Sequence, residues 1–290
     1  MDIIRLGRTG LDVSVVGLGC GGHSRLGQTY GATEDESVAV VQRALDLGIN
    51  VVDTARAYGT EEIVGRALKG RRDGVVLSTK ALLDTGDSLH ASLDRSLARL
   101  QTDYVDVFFL HGVTAEQYAR VGEDAVAELL ALRDAGKLRF LAISERFGDD
   151  PGHAMLPVAL ADGVWDVVMV GFSLLNPSAR DRVFTLTTAQ DVAVLVMFAV
   201  RKALSQPDEL ARVLASVGHP DDALAFLDNV VDAAYRFARH EPGTDVVLTG
   251  TGKVAHLEAN VASLLGPALS DGDLARLEEL FGAIDTITGN

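Results

Sequence analysis

Four side chains of different chemistry stand at positions where they can act together. Asp53, Lys80 and His111 each end a short apolar segment, and Tyr58 follows Asp53 closely, just before a glycine. A buried ammonium favours ionisation of a neighbouring phenol, whose ordinary pKa is about 10. A carboxylate is needed to keep such an ammonium charged inside a protein. The residue types therefore predict a proton-donating relay with Tyr58 as the general acid.

A phenol that donates a proton, with no nucleophile beside it, indicates reduction of a carbonyl group. His111 can position the carbonyl oxygen through a hydrogen bond and share its developing negative charge. Carbonyl reduction needs a hydride donor, which implies a nicotinamide cofactor. The alternative is that Asp53 and Lys80 form a structural ion pair and that His111 is a rim histidine with satisfied hydrogen bonds.

The segments that carry these residues belong to a repeated pattern. Eight apolar strands alternate with helical segments, from Val13–Gly19 to Val246–Thr249. Alternation of this kind is typical of parallel strands, and eight copies favour a closed (β/α)8 TIM barrel over a doubly wound sheet. In such a barrel, chemistry lies at the carboxyl ends of the strands, which is where Asp53, Lys80 and His111 occur.

Two segments extend the repeat. Residues 2–16 contain two short strands around a glycine turn, which predicts an N-terminal β-hairpin closing the bottom of the barrel. The amphipathic segment from Asp271 to Phe281 predicts an extra C-terminal helix. Since no linker rich in proline, glycine and serine divides the chain, we predict a single domain over residues 1–290.

Composition excludes several classes of protein. The net charge of −15, from 26 basic and 41 acidic residues, disfavours nucleic acid as a partner. The apolar runs 164–170 and 192–200 fall below the roughly 18–20 residues of a membrane span. The single cysteine fits a reducing compartment, and the start of the chain lacks the features of a signal peptide. We therefore expect a cytoplasmic protein, and the histidine spacing predicts no metal.

The chain resembles a bacterial member of the aldo-keto reductase family over nearly its whole length. The stretches that carry this resemblance are Leu6–Ser14, Gly17–Gly19, Asp53–Ala55, Tyr58–Gly59, Ser78–Lys80, Asp103–Asp106 and Leu110–His111. The family consists of nicotinamide-dependent barrels that usually use NADPH, and its catalytic tetrad falls on Asp53, Tyr58, Lys80 and His111. The resemblance implies a small-molecule carbonyl substrate and NADPH, with NADH as the alternative cofactor.

The expected contacts with the nicotinamide depart from the family pattern. In the family, a Ser-Asn pair after the fifth strand and a Gln in the sixth hold the carboxamide, and an aromatic residue after that Gln stacks on the ring. The positions here are Ser144, Glu145, Met169 and Phe172. An ionised Glu145 cannot donate to the amide oxygen, and the thioether of Met169 neither donates nor accepts well.

Two other segments are expected to hold the phosphates. Arg201 stands in the family's pyrophosphate loop, although a solvated basic step is the alternative. A glycine-rich turn at a helix N-terminus is a ready anion site, and the family binds the adenosine phosphate in such a turn. The residues expected there are Gly250, Thr251, Gly252, Lys253, His256 and Asn260, the last of them facing the adenine.

The sequence indicates only a few candidate substrate contacts and leaves other functions open. We expect Cys20, Tyr30 and Phe147 near the mouth, with a buried apolar role as the alternative for Cys20. The stretch Gly17–Gly22 has the spacing of a dinucleotide fingerprint but opens a polar loop and not a helix, so we reject that site. Two other functions compete with carbonyl reduction: oxidation of a sugar or other alcohol with NAD(P)+, and a regulatory cofactor-binding barrel with little turnover.

Overall fold

Eight parallel strands form a closed barrel in the computed structural model, which describes residues 1–83 and 85–289 except for the side chain of Val121. The strands are β1 (Ile3–Leu6), β2 (Leu11–Ser14), and then the barrel strands β3 (Val16–Gly19), β4 (Val51–Asp53), β5 (Val76–Ala81), β6 (Val105–Val113), β7 (Leu138–Glu145), β8 (Val167–Gly171), β9 (Ala193–Met197) and β10 (Val246–Thr249). Strand β10 pairs with both β9 and β3, which closes the barrel. The predicted (β/α)8 barrel is confirmed.

Helices follow the barrel strands and cover them. They are α1 (Glu34–Asp46), α2 (Glu61–Leu68), α3 (Leu89–Leu100), α4 (Ala115–Asp134), α5 (Met155–Ala161), α6 (Thr185–Gln190), α7 (Lys202–Ser205), α8 (Pro207–Ser216), α9 (Val230–His240), α10 (Val254–Leu264) and α11 (Asp271–Phe281). The last is the predicted C-terminal helix. Over the described part of the chain, no helix combines the length and the apolar composition that crossing a membrane would require.

Helix α4 begins well before Asp124, where the apolar spacing had predicted it. Thr114 accepts the backbone N–H of Gln117, and the Gln117 side chain accepts the N–H of Thr114 in return. This reciprocal capping satisfies two N–H groups that a helix start otherwise leaves unpaired, and so it extends the helix toward its N-terminus.

In every barrel strand except β3, neighbouring residues belong to two different apolar clusters. Phe109 and Met169 lie in the cluster inside the barrel. Phe108 and Val168 lie in the cluster between the barrel and the helices. Side chains alternate across a strand, and both faces are covered here, so strands such as β8 and β9 are apolar along their whole length.

The hairpin of β1 and β2 closes the amino-terminal end of the barrel, as predicted. Leu6 and Val13 pack into the cluster inside the barrel. The backbone N–H of Arg8 donates to the carbonyl of Asp191 at 2.7 Å, and its Nε donates to Asp166 at 3.1 Å. Asp166 and Asp191 stand just before β8 and β9. The opposite end therefore remains as the mouth.

The extent of the domain stays a prediction. Residues 84 and 290 of the predicted range 1–290 lie outside the described residues.

Gly65 provides a test of how closely α2 packs on α3. A Cβ at Gly65 would come within 2.7 Å of the carbonyl oxygens of Arg99 and Leu100. Because backbone atoms cannot move aside without shifting a helix, we expect Gly65→Ala to lower the free energy of unfolding by about 1–3 kcal/mol. Urea unfolding followed by circular dichroism measures the change.

Gly122 of α4 is the matched control. A Cβ there would make an ordinary contact, 3.5 Å from the ring of Tyr118. Gly122→Ala should therefore raise the free energy of unfolding by up to about 1 kcal/mol, the usual helix preference for alanine. Equal midpoints for Gly65→Ala and the unmodified protein would contradict the packing described here.

Candidate active site

Lys80 and Asp53 form a buried ion pair at the carboxyl ends of β5 and β4. The Lys80 Nζ lies 2.6 Å and 2.5 Å from the two carboxylate oxygens and 2.9 Å from the carbonyl oxygen of Thr54. Ser78 Oγ donates to the same carboxylate at 2.6 Å. The side chains of Lys80 and Asp53 are only 0% and 4% exposed. All three ammonium protons therefore have acceptors.

The Lys80 side chain is held in its charged form. Burial opposes the charge, but the carboxylate of Asp53 and the phenol of Tyr58 outweigh burial, so the pKa of Lys80 is raised. Lys80 is consequently an ammonium that is paired with Asp53 and also lies near the Tyr58 ring.

Tyr58 and His111 meet next to this pair. The Tyr58 hydroxyl lies 3.3 Å from His111 Nε2, and the two rings are edge to face with centres 5.3 Å apart. The Lys80 Nζ lies 5.0 Å from the centre of the Tyr58 ring. A Cβ at Gly21 would collide with that ring. The glycine-rich stretch rejected as a dinucleotide fingerprint thus makes room for Tyr58.

A β-bulge positions His111. The pairing of β6 with β7 shifts register between Leu110 and Val113. Ser144 Oγ accepts the N–H of Gly112 at 2.8 Å and donates to the carbonyl of Leu110 at 3.3 Å, which holds both sides of the bulge. Bulges of this kind redirect a side chain at the rim of a barrel.

Burial controls the protonation of both rings. The pKa of Tyr58 is raised because loss of hydration outweighs the lowering effect of Lys80. The ammonium acts in the expected direction, but burial outweighs it, so the expectation of a lowered pKa for this phenol is wrong. Burial, with the charges of Lys80 and Arg146, lowers the pKa of His111 to about 3. Tyr58 is a protonated phenol and His111 a neutral imidazole at neutral pH.

A cavity of about 250 Å³ opens beside Tyr58 and His111. Its volume is just below the range of about 300–1,000 Å³ typical of ligand pockets. The predicted site residues that line it are Ser144, Glu145, Phe147, Met169 and Arg201. A more open depression, of about 420 Å³, lies between the end of α3 and Lys137, at the opposite end of the barrel from these residues.

Glu145 forms a second buried pair, with His153. Its carboxylate lies 2.9 Å from His153 Nδ1 and accepts the N–H of Gly171 at 2.7 Å. Both side chains are 0% exposed. Burial raises the pKa of Glu145, although His153 and the Gly171 N–H act against the rise. The carboxylate at the predicted carboxamide position is therefore already engaged within the protein.

The aldo/keto reductase family model matches residues 17–211, two thirds of the chain. The chain belongs to the aldo-keto reductase family. The resemblance seen in the sequence is confirmed, and the protein is an oxidoreductase of that family. Within residues 1–83 and 85–289, no group of three or more His, Cys, Asp or Glu residues is placed to hold a metal ion.

Two curated relatives of this aldo-keto reductase match different shares of the chain. The aldo-keto reductase YhdN of Bacillus subtilis is 27% identical across 94% of this chain and 91% of its own length. Half of the chain is 35% identical to 48% of the L-galactose dehydrogenase of Arabidopsis thaliana.

Solved structures show the same architecture. The holo form of the aldo-keto reductase AKR11C1 from Bacillus halodurans superposes with a TM-score of 0.76 at 25% identity, covering 98% of this chain and 97% of that one. An aldo-keto reductase from Klebsiella pneumoniae, in complex with NADP and acetate, gives a TM-score of 0.70 at 25% identity over 96% and 95% of the two chains.

Phe172 does not face the cavity of this aldo-keto reductase. It is fully buried outside the barrel and stacks on Phe237 of α9 with ring centres 5.4 Å apart. The prediction that Phe172 stacks on the nicotinamide is wrong, because side chains alternate along β8 and the inward position falls on Gly171. The Phe147 ring fills the space over Gly171, where a Cβ would collide with it.

Phe198 is a cavity residue that was not among the predicted site residues. Phe198 lines the cavity directly after β9, and its ring stacks on that of Phe147 with centres 6.1 Å apart. Its φ of +68° is uncommon for a bulky residue. An aromatic residue at the end of a predicted strand was the available signal, but the left-handed turn that presents it cannot be read from the residue type.

Cys20 and Tyr30 do not line the cavity, contrary to their predicted substrate contacts. Cys20 is 0% exposed within the apolar cluster between barrel and helices, which fits the alternative considered for it. Burial raises the pKa of its thiol far above the usual range, so the thiol is unreactive. Tyr30 is 69% exposed and packs edge to face on His23.

The glycine-rich loop before α10 has the chemistry of an anion site. Lys253 is the N-cap, and no side chain caps the helix, so the first backbone N–H groups are available. Lys253 and His256 are exposed. Asn260 donates to Thr249 Oγ1 at 2.9 Å, so its predicted contact with adenine would require this bond to break. The phosphate and adenine contacts stay predictions.

The neutral state of His111 can be tested by NMR. Because its pKa falls from 6.5 to about 3 on folding, its ring resonances should not move between about pH 8 and pH 5. His111→Gln identifies the resonances by their loss. A titration midpoint near the ordinary value would contradict the environment described here.

The lowered pKa of His111 also makes the stability of the folded protein depend on pH. The unfolded chain binds a proton on His111 before the folded protein does. This contribution to stability is therefore complete above the unfolded pKa of 6.5 and is lost as the pH falls toward about 3. In His111→Gln, the fall in stability over this interval should be shallower than in the unmodified protein.

Proposed function

We propose that this aldo-keto reductase uses NADPH to reduce the carbonyl group of a small aldehyde or ketone, with Tyr58 as the proton donor. The observation that supports the proposal most directly is the convergence of the Asp53–Lys80 pair, Tyr58 and His111 beside one cavity. The Klebsiella pneumoniae relatives in complex with NADP and NADPH support the choice of cofactor.

The raised pKa of Tyr58 keeps its proton available for transfer. As the substrate oxygen takes that proton, the positive charge of Lys80 stabilises the phenolate that forms. Asp53 keeps Lys80 charged throughout. Neutral His111 can donate a hydrogen bond to the carbonyl oxygen. The reduced nicotinamide supplies the hydride that the carbonyl carbon receives.

The groups of this chain fit the phosphate end of NADPH better than its carboxamide end. The uncapped start of α10 and the Lys253 ammonium suit a phosphate, and Arg201 lines the cavity. At the carboxamide end, Ser144 is the one predicted contact with a hydroxyl, and that hydroxyl already bonds the bulge. We therefore assign Met169 and Phe198 to apolar contact with the ring.

Tyr58→Phe tests the proton donor. The substitution keeps the ring and removes the hydroxyl, so turnover of an aldehyde should fall by about 100- to 10,000-fold, the range of positioned acid–base groups. NADPH absorbance measures turnover, and cofactor fluorescence measures binding, which should change little. Tyr30→Phe, at an exposed phenol, is the matched control. Near-normal turnover in Tyr58→Phe would refute the assigned role.

Met169→Gln tests the nicotinamide position. A glutamine there can donate and accept hydrogen bonds, so we expect the Kd for NADPH to fall by about 2- to 10-fold, the value of one net hydrogen bond. Met197→Gln makes the same change at another methionine of the cavity wall and serves as the control. If fluorescence titration gives an unchanged Kd for Met169→Gln, the carboxamide does not lie beside that residue.

Alcohol oxidation is the second candidate, favoured by the 35% identity of half the chain to an L-galactose dehydrogenase. The same residues serve this direction, with a Tyr58 phenolate accepting the alcohol proton. Rates in the two directions near neutral pH decide between them. The engaged Glu145 and the apolar Met169 favour a third candidate, a regulatory barrel, for which NADPH would bind without measurable turnover.

A further inference from the structure

Arg146 brings a guanidinium to the cavity wall near His111. It follows β7 directly, and its Nε donates to the carbonyl of Gly112 at 3.0 Å. Its backbone N–H donates to the carbonyl of Val113 at 3.2 Å. These bonds tie both the backbone and the guanidinium to the bulge that carries His111. The side chain remains 42% exposed, so it can still contact a ligand.

The charge of Arg146 is only weakly balanced. Its one ion pair in the described part of the chain is with Asp149, at 3.8 Å, and the Asp149 side chain is 65% exposed. Such a solvent-screened ion pair contributes little stabilisation. Neither terminal nitrogen has a hydrogen-bond partner among the residues that the structure describes, which leaves the forked end of the guanidinium available.

Arg201 also reaches the cavity wall, with its guanidinium 3.8 Å from the centre of the Phe198 ring, and the remaining ionisable groups around the cavity are paired or neutral. Lys80 is balanced by Asp53, and Glu145 lies against His153. His111 is a neutral imidazole, since burial and two nearby cations lower its pKa to about 3. Arg146 and Arg201 therefore give the cavity wall a local positive charge in a protein whose net charge is −15. This local charge can bind an anion although the net charge of the protein repels anions.

We propose that Arg146 binds a carboxylate carried by the substrate, so that the substrates are carbonyl compounds with an acidic group. This assignment rests on the proposed function and names its substrate class. A guanidinium is suited to the role because its planar fork matches the two oxygens of a carboxylate. Arg146 acts in recognition, and proton transfer remains with Tyr58.

Two aldehydes of nearly the same shape test the proposal. 4-Carboxybenzaldehyde carries the anion, and methyl 4-formylbenzoate is its neutral ester. We expect the unmodified protein to have the higher kcat/KM with the acid. In Arg146→Gln, kcat/KM for the acid should fall by about 10- to 100-fold relative to the ester, the range for a lost charged hydrogen bond. Arg146→Lys should recover part of the loss.

Arg133→Gln is the matched control. Arg133 lies in the last turn of α4, away from the mouth, and its side chain is 45% exposed. The substitution removes one positive charge, as Arg146→Gln does, so the ratio of kcat/KM for the acid to kcat/KM for the ester should not change. If Arg146→Gln lowers activity on the acid and the ester equally, or if the unmodified protein prefers the ester, the assignment of Arg146 is overturned.

A binding measurement separates this proposal from the proposed function. In a Tyr58→Phe background, calorimetry with 4-carboxybenzaldehyde in the presence of NADP+ measures recognition without turnover. We expect binding there, and a loss of at least about tenfold when Arg146→Gln is added. Binding that depends on Arg146, with no turnover by the unmodified protein, would keep the anion site and reject the reductase. Binding unaffected by Arg146→Gln would reject the anion site.

Discussion

The buried contact between Lys80 and Asp53 is the constraint on which the rest of the site depends. A charged ammonium without water is costly, and it persists here because three acceptors surround it. Those acceptors come from β4 and the residue after it, while the cation comes from β5. The parallel register that sets Asp53 beside Ser78 is therefore part of the chemistry as well as of the barrel.

A second pair follows the same physical rule with a different result. Glu145 and His153 are both fully buried, and the Glu145 carboxylate contacts both the His153 ring and the backbone N–H of Gly171. The Phe147 ring stacks on His153, with ring centres 5.4 Å apart. A position that the family resemblance assigns to the cofactor amide thus supports the cavity wall here. The cost is fewer hydrogen-bonding groups for the nicotinamide, and the gain is a rigid, mostly apolar wall.

The barrel and the convergence of its four ionisable residues could be predicted from sequence because both follow from a simple periodicity. Parallel strands bring their carboxyl ends to one rim, so Asp53, Lys80 and His111 had to meet there. Details that depend on which way a single residue points were not predictable. Phe172 was expected in the cavity, but the inward position of β8 falls one residue earlier.

The direction of the pKa shift of Tyr58 was not predictable because two effects on this phenol oppose each other. The residue types around Tyr58 indicated an ammonium that lowers its pKa, but the degree of burial, which only the folded structure reveals, reverses the direction. The role of His153 also lacked a signal, because it depends on a left-handed backbone turn with φ of 61° that sets the ring against Glu145.

The loop after β3 has a consequence for how much variation the mouth can tolerate. At Gly21 it packs against the ring of Tyr58, and at Gly27 it packs against Gly252 of the loop before α10, with no space for a Cβ at Gly21 or Gly252. One segment is thus fitted both to Tyr58 and to the loop before α10. Barrel loops usually diversify freely, whereas this one is restricted at both contacts, and new specificities would have to arise in the loops on the other side of the mouth.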